Sequence, residues 1–213
     1  VELDEPGRGE VLIRVAAAGV CHSELSVING TRPRPVPMVL GHEASGIVEQ
    51  VGPGIDDLAP GDHVVCIFAP GCGTCLPCSE GRPALCTRAA KHHGVGELMT
   101  GHRRLSMDGK PVHHHVGVSA FATHAVLARQ SLVKVDVDIP THVSALFSCA
   151  MLTGAGAVFN TARVTPGSKV AVVGLGGVGL SAVLGAQAAG AGQIVVIDPF
   201  DSKLETAMGM GAT

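Results

Sequence analysis

The chain's 213 residues carry 15 basic and 18 acidic side chains, a formal net charge of −3 without any long basic run, which argues against nucleic acid or an anionic membrane surface as partner. Hydrophobic residues make up 46% and glycine supplies 29 positions, yet no apolar stretch reaches the roughly 20 uninterrupted residues of a membrane helix. With five phenylalanines and no tryptophan or tyrosine, the core must be built from valine, leucine, isoleucine and alanine.

Along the chain, short β-like runs fall at 11–16, 44–51, 63–68, 122–128 and 132–135, separated by glycine- and proline-rich turns. They predict a compact, partly barrel-like β domain. Cys21 closes the first apolar stretch, and His42 stands in LGHEASGIVEQVG at the head of the second run. Between the third and fourth runs lies GCGTCLPCSEGRPALC, in which Cys72, Cys75, Cys78 and Cys86 follow a CxxCxxCx7C spacing bent by glycine and proline. Four thiolates on one short loop suit a closed tetrahedral zinc with no position left for substrate, hence a structural site. Two disulfides or an iron–sulfur cluster are the alternatives. No apolar leader opens the chain, which sets the expectation of a reducing, cytoplasmic setting and disfavours disulfides.

An alanine-rich, helix-like segment spans 141–163 and holds Cys149; Pro166-Gly167 then turns the chain into a strand at 170–173. That strand runs into Gly174-Leu175-Gly176-Gly177-Val178-Gly179, a small-residue helix follows, and a second strand ends on Asp198. Strand, GxGxxG turn, helix and acid-tipped strand in this order predict the first half of a Rossmann dinucleotide fold. Gly174 permits the tight turn, Gly176 lets a pyrophosphate approach the backbone, and Gly179 lets helix and strand pack closely. Asp198 would bond the adenosine ribose hydroxyls and repel a 2′-phosphate, favouring NAD over NADP. A further helix is predicted at 202–210. The chain thus reads as α/β with a β-rich part: a β domain at 1–150 with a zinc lobe at about 71–87, then a partial Rossmann domain at 151–213. Because the second mononucleotide half is missing and the first residue is Val1, the sequence is expected to be a fragment of a longer product.

Cys21, His42 and Cys149 are the remaining potential ligands. Two thiolates and an imidazole would leave a fourth tetrahedral position open, although spacing alone does not establish that they meet. Taken singly, Cys149 reads more readily as a small buried core residue and His42 as a turn or core histidine.

Together these motifs resemble the zinc-dependent alcohol dehydrogenases of the medium-chain dehydrogenase/reductase family, of the longer, classical type. GHEASGIVEQVG looks like the family's zinc signature, the four-cysteine loop like its structural zinc lobe, and GLGGVG like its cofactor fingerprint. The resemblance implies a GroES-like catalytic β domain, two Zn2+ per chain, and NAD. It implies that Cys21, His42 and Cys149 hold the catalytic zinc, that Ser23 takes the alcohol proton, and that Glu43 sits behind the metal. It further implies that His22 contacts the cofactor pyrophosphate, that Thr153 lies near the nicotinamide, that Lys203 bonds the adenosine ribose, and that Phe68 and His115 line the substrate channel. Two departures stand out. Ser26 replaces the histidine at the outer end of the proton relay, leaving water or His22 to substitute, and Glu24 replaces an aspartate that supports the zinc histidine.

The implied activity is an NAD-dependent interconversion of small alcohols with aldehydes or ketones, in a homo-oligomer when full length. Two alternatives stand beside it: oxidation of a thiol adduct of formaldehyde, for which Arg88, Lys91 and Arg103 are basic candidates at the pocket mouth, and an inactive truncated zinc-binding module. Ser23 has a competing reading as the N-cap of a helix starting at Glu24. His92, His93 and His113 to His115 read as loop residues.

Overall fold

The structure, a computed structural model, describes residues 1–135 and 138–213, which divide into two compact units, Val1–Ser148 and Cys149–Thr213. The first unit contains β1 (Glu2–Leu3), β2 (Glu10–Gly19), α1 (His22–Ile28), β3 (Met38–Val39), β4 (Glu43–Val51), β5 (His63–Cys66), α2 (Leu76–Ser79), α3 (Thr87–Gly94), β6 (Leu105–Met107), β7 (Lys110–His114), β8 (His124–Ala128), β9 (Leu132–Lys134) and α4 (Thr141–Ser144). The second contains α5 (Ala150–Gly156), β10 (Lys169–Val173), α6 (Gly177–Ala188), β11 (Gln193–Ile197) and α7 (Asp201–Gly209).

An antiparallel sheet in the order β8-β2-β4-β5-β9 carries the first unit. Alternation along β2 turns Val11 and Ile13 inward, where they pack with Ala44, Val48, Val64, Val118 and Leu127. Register irregularities between Leu12 and Ile13 and between Val15 and Ala17 let β2 pair with β4 as far as Gly19 opposite Glu43. That pairing positions the site: Cys21 is two residues beyond Gly19, and His42 is one residue before Glu43. A second sheet, β1-β6-β7-β3, pairs β3 parallel to β7, with Val39 opposite His114. It delivers His115 beside Val39, whose carbonyl accepts from the His115 N–H at 3.3 Å.

The histidines expected in loops are largely in regular structure. His92 and His93 end α3, and His113 and His114 lie in β7. Tertiary partners explain the burial: the Arg104 N–H donates to His114 Nε2 at 3.1 Å, so an imidazole that carries no strand signal fits inside.

The segment 141–163 is not one helix. After α4 it tightens into a 3-10 turn over Ala145–Ser148, and α5 later passes into a π turn over Ala157–Ala162. The cause lies in side chains that bond to the neighbouring strand. Ser148 Oγ accepts from the Ala44 N–H at 3.0 Å, Ser45 Oγ donates to the Thr141 carbonyl at 2.7 Å, and Ser144 Oγ meets His63 Nε2 at 2.9 Å. Cys149, with φ −141° and ψ −68°, caps α5 instead of continuing a helix.

In the second unit, β10 and β11 pair in parallel from Lys169 opposite Gln193 to Val173 opposite Ile197. Val172, Leu175, Val183, Ala186, Ile194 and Ala207 form its core. Among the described residues no single helix is long and apolar enough to cross a membrane.

Candidate functional site

The four-cysteine lobe assembles from local structure. Cys75 caps α2, whose first turn holds Pro77, and Cys86 caps α3 by accepting from the Ala89 N–H at 3.4 Å. Cys72 Sγ accepts the amides of Thr74 and Cys75 at 3.5 and 3.3 Å, and the Cys72 N–H reaches Cys86 Sγ at 3.4 Å. Zinc–sulfur bonds of about 2.3 Å in a tetrahedron put sulfurs ~3.8 Å apart. Cys72 and Cys78 are 4.0 Å apart and Cys75 and Cys86 3.9 Å, with all four thiols free. The lobe therefore fits one tetrahedral metal and not a pair of disulfides. Hydrogen bonds from Thr74 and Cys75 bring the Cys72 thiol down to about 5, whereas burial pushes Cys78 up to about 11. Cys66 belongs to no donor set among the described residues; it is a core residue whose thiol burial pushes up to about 12.

A second donor set forms where β2 meets β4. Cys21, His42 and Glu43 each offer a ligand atom within 4.8 Å of the others, and His42 and Glu43 are 4% exposed. Cys149 follows Ser148, whose hydroxyl is bonded to Ala44, two residues from His42. Glu24 reaches the histidine despite its different length from aspartate. Its Oε1 pairs with His42 Nδ1, and its Oε2 accepts the Cys21 N–H at 3.0 Å, closing a capping box at the start of α1. Burial raises the Glu24 carboxyl, but hydrogen bonds from His42 and Cys21 outweigh it and hold the group below its ordinary value. An ionised Glu24 accepts only, so His42 Nδ1 carries the proton and Nε2 keeps its lone pair for a metal.

His115 extends this network. Its Nδ1 is buried with no hydrogen-bond partner among the described residues, 3.6 Å from Glu24 Oε1, and its ring meets that of His42 edge-on at 5.5 Å between centroids. Phe68 also packs edge-on to His42, at 5.2 Å between centroids. Burial lowers the His115 imidazole to about 4, so it is neutral at pH 7.

Ser23 is not the helix cap. The helix begins at His22 with Cys21 as N-cap, and Ser23 Oγ is buried with no hydrogen-bond partner among the described residues. Ser26 Oγ is committed to the His22 carbonyl at 3.1 Å, and His22 itself is exposed. Arg103 is likewise engaged, with Glu97 at 3.3 Å and the Val95 carbonyl at 2.8 Å, while Arg88 and Lys91 stand exposed on α3.

The glycine turn leaves its backbone open at the start of α6. Gly174 sits at φ +88°, which favours glycine, and a Cβ on Gly179 would come within 1.8 Å of the Gly174 carbonyl. By contrast a Cβ on Gly176 would meet nothing within 4 Å: the space above the α6 N-terminus is open, and the cap offers no side chain to its amides. Both oxygens of Asp198 accept backbone amides, Leu175 N–H at 2.7 Å and Phe200 N–H at 3.1 Å. These bonds, the Leu175 amide first, hold the Asp198 carboxyl below its usual value. Lys203 Nζ lies 3.6 Å from Asp198 and 4.9 Å from the centroid of the Phe200 ring. Thr153 is exposed on α5.

Residues 7–137 match the alcohol dehydrogenase GroES-like domain. The chain belongs to the zinc-type medium-chain alcohol dehydrogenase family. Among relatives, it is 43% identical over 216 residues to an S-(hydroxymethyl)glutathione dehydrogenase of Escherichia coli, a match covering all of this chain and 58% of that protein. It superimposes with a TM-score of 0.93 and 40% identity on an alcohol dehydrogenase zinc-binding domain protein from Burkholderia ambifaria, covering 99% of this chain and 57% of that one. Benzyl alcohol dehydrogenase from Acinetobacter calcoaceticus matches with a TM-score of 0.91 at 40% identity, over all of this chain and 57% of that one. The chain thus spans a little over half the length of the relatives it matches.

Proposed function

We propose that the chain carries the metal centres and the first nucleotide-binding half of an enzyme that transfers hydride between a small alcohol and NAD, giving an aldehyde or ketone. The observation that carries the reading is the donor set of half-buried Cys21 with buried His42 and Glu43, backed by Glu24, beside a Ser23 hydroxyl with no partner among the described residues. Cys149 completes the catalytic set, with Glu43 as a nearby carboxylate, and the four-cysteine lobe takes the second zinc.

When bound, zinc supplies a Lewis acid that polarises the alcohol oxygen, and NAD supplies the acceptor for two electrons and one proton in the form of hydride. The chain's residues supply position and proton traffic. Glu24 fixes the His42 tautomer so that Nε2 faces the donor centre. Ser23 Oγ accepts the alcohol proton as the carbonyl forms and releases its own outward, and the relay continues through water or exposed His22 because the Ser26 hydroxyl is committed. Phe68 and His115 shape the channel beside the histidine ligand. The amides at the start of α6 and the open space over Gly176 receive the cofactor pyrophosphate, with Asp198 and Lys203 at the ribose and Thr153 near the nicotinamide.

A second reading, oxidation of a formaldehyde thiol adduct, draws on the 43% identical relatives that bear that name. The test is a panel of alcohols, and formaldehyde with glutathione, run on zinc-loaded full-length protein with NAD and with NADP. NAD-linked turnover is expected, reduced about 100-fold in Ser23→Ala with unchanged zinc content. Turnover that is indifferent to Ser23 removes the relay; absence of a second zinc removes the catalytic centre.

A further inference from the structure

Four arginines of the first unit are half-buried: Arg34, Arg103, Arg104 and Arg129. Three have a carboxylate. Arg103 pairs with Glu97, Arg104 with Glu10 and Arg129 with Asp57. Arg34 has none among the described residues, and its Nε is buried without any hydrogen-bond partner. A buried Nε–H with neither an acceptor nor a counter-charge is costly, and an arriving anion would satisfy it. Arg32, two residues earlier, is exposed and has no acidic partner among the described residues, so the pair concentrates positive charge that no described side chain neutralises.

The position of this charge gives it meaning. The loop carrying both arginines is tied at one end to α1, where the Arg32 N–H donates to the Ser26 carbonyl at 2.8 Å. At its other end the Pro37 carbonyl accepts from His113 N–H at 2.9 Å and the Val39 carbonyl from His115 N–H. It therefore spans the two elements that hold Ser23 and Glu24 on one side and His115 on the other. His115 in turn packs edge-on against the His42 ring. Arg103, by contrast, is already occupied.

We infer that Arg34, assisted by Arg32, binds an anionic group on the substrate, so that the alcohol handled at the Cys21 and His42 corner carries a carboxylate. This rests on the alcohol dehydrogenase reading and narrows it. The carboxylate has two possible sources, a simple aromatic or aliphatic hydroxy acid, or the peptide acid groups of a thiol adduct.

The experiment compares benzyl alcohol, 4-(hydroxymethyl)benzoate and formaldehyde with glutathione as substrates of the zinc-loaded full-length protein, with benzoate as inhibitor. Wild type, Arg34→Gln, Arg34→Lys and Arg32→Gln are run in parallel. The expected result is a wild-type preference for a carboxylate-bearing substrate. In Arg34→Gln its KM rises about tenfold more than that of benzyl alcohol, with a matching loss of benzoate affinity. Arg34→Lys restores part of the loss, and Arg32→Gln shows a smaller, salt-sensitive one. Dependence on Arg34 for 4-(hydroxymethyl)benzoate identifies a simple hydroxy acid; dependence for the glutathione adduct alone identifies the adduct. Equal kcat/KM for charged and neutral alcohols in wild type, with equal changes in Arg34→Gln, overturns the inference. So does a rise in KM for NAD in place of the alcohol. If wild type oxidises none of the three, the alcohol dehydrogenase reading fails instead.

Discussion

The two donor sets of the first unit are built in opposite ways. In the lobe, Cys72, Cys75, Cys78 and Cys86 lie within one short loop, and the amides that bond their sulfurs come from that loop or from α3, which follows it. At the corner of β2 and β4, Cys21 and His42 come from segments joined only by strand pairing, and their orientation depends on Glu24 in α1. A site whose ligands are local serves to hold a loop closed. One assembled by the fold is as exact as the fold itself, and its supporting groups control both the metal and the hydroxyl beside it.

Cys75→Ser probes the local set and is expected to have the largest effect. One zinc per chain should be lost and Tm should fall by on the order of 10 °C, because metal binding there is folding free energy. Metal analysis with a thermal scan decides it, and an unshifted Tm would show that the lobe does not stabilise the domain. Glu24→Gln probes the assembled set: it keeps the size of the side chain but removes its charge. Affinity for the corner zinc should drop about 10- to 100-fold with the lobe zinc retained as internal reference. Competition with a chelator measures both, and parallel losses would mean that Glu24 supports the fold and not the metal.

Acid sharpens the contrast between packing and chemistry. Burial first, then the charges of His92 and Arg34, lowers His93 to about 4, and burial with Arg103 outweighs the pull of Glu10 to lower His114 to about 4. Both are depressed below the unfolded value of 6.5, so the unfolded chain binds more protons between these limits and stability falls as pH drops from about 6.5 toward 4. The urea midpoint at pH 5 should correspond to roughly 1–2 kcal/mol less stability per imidazole than at pH 7. A midpoint that does not move would mean that these rings are hydrated. The smallest expected effect is that of Asp198→Asn, which should narrow the preference for NAD over NADP by about tenfold through loss of charge repulsion. Equal losses for both cofactors, measured by KM, would confine Asp198 to bonding the Leu175 and Phe200 amides.

The legibility of the sequence follows the same division. The lobe and the glycine turn were readable because their geometry is set by residues a few positions apart. Strands β4 and β5 were readable from their apolar runs, and Glu10–Gly19 extended the predicted 11–16 in both directions. The corner was not readable from spacing, since Cys21 and His42 meet through the β2–β4 register, and the family resemblance supplied what periodicity could not. His113 and His114 were missed as strand residues because imidazole carries no strand signal of its own, and their partners Arg103 and Arg104 reach them only through the turn back of the chain ten residues earlier. The helix expected over 141–163 failed where Ser144 and Ser148 bond to side chains and amides outside the segment. Arg34 left no trace in the sequence; only the absence of a partner in three dimensions marks it.

The capping box at α1 has an engineering consequence. One carboxylate grips the first amide of the helix with one oxygen and the imidazole of His42 with the other, so the register of α1 and the tilt of that ring cannot be tuned separately. Shortening the side chain to aspartate would require the helix to slide toward β4, taking Ser23 with it. Variants that exchange the donor histidine, the acid and the helix start together, as one cassette, should tolerate redesign that single replacements do not.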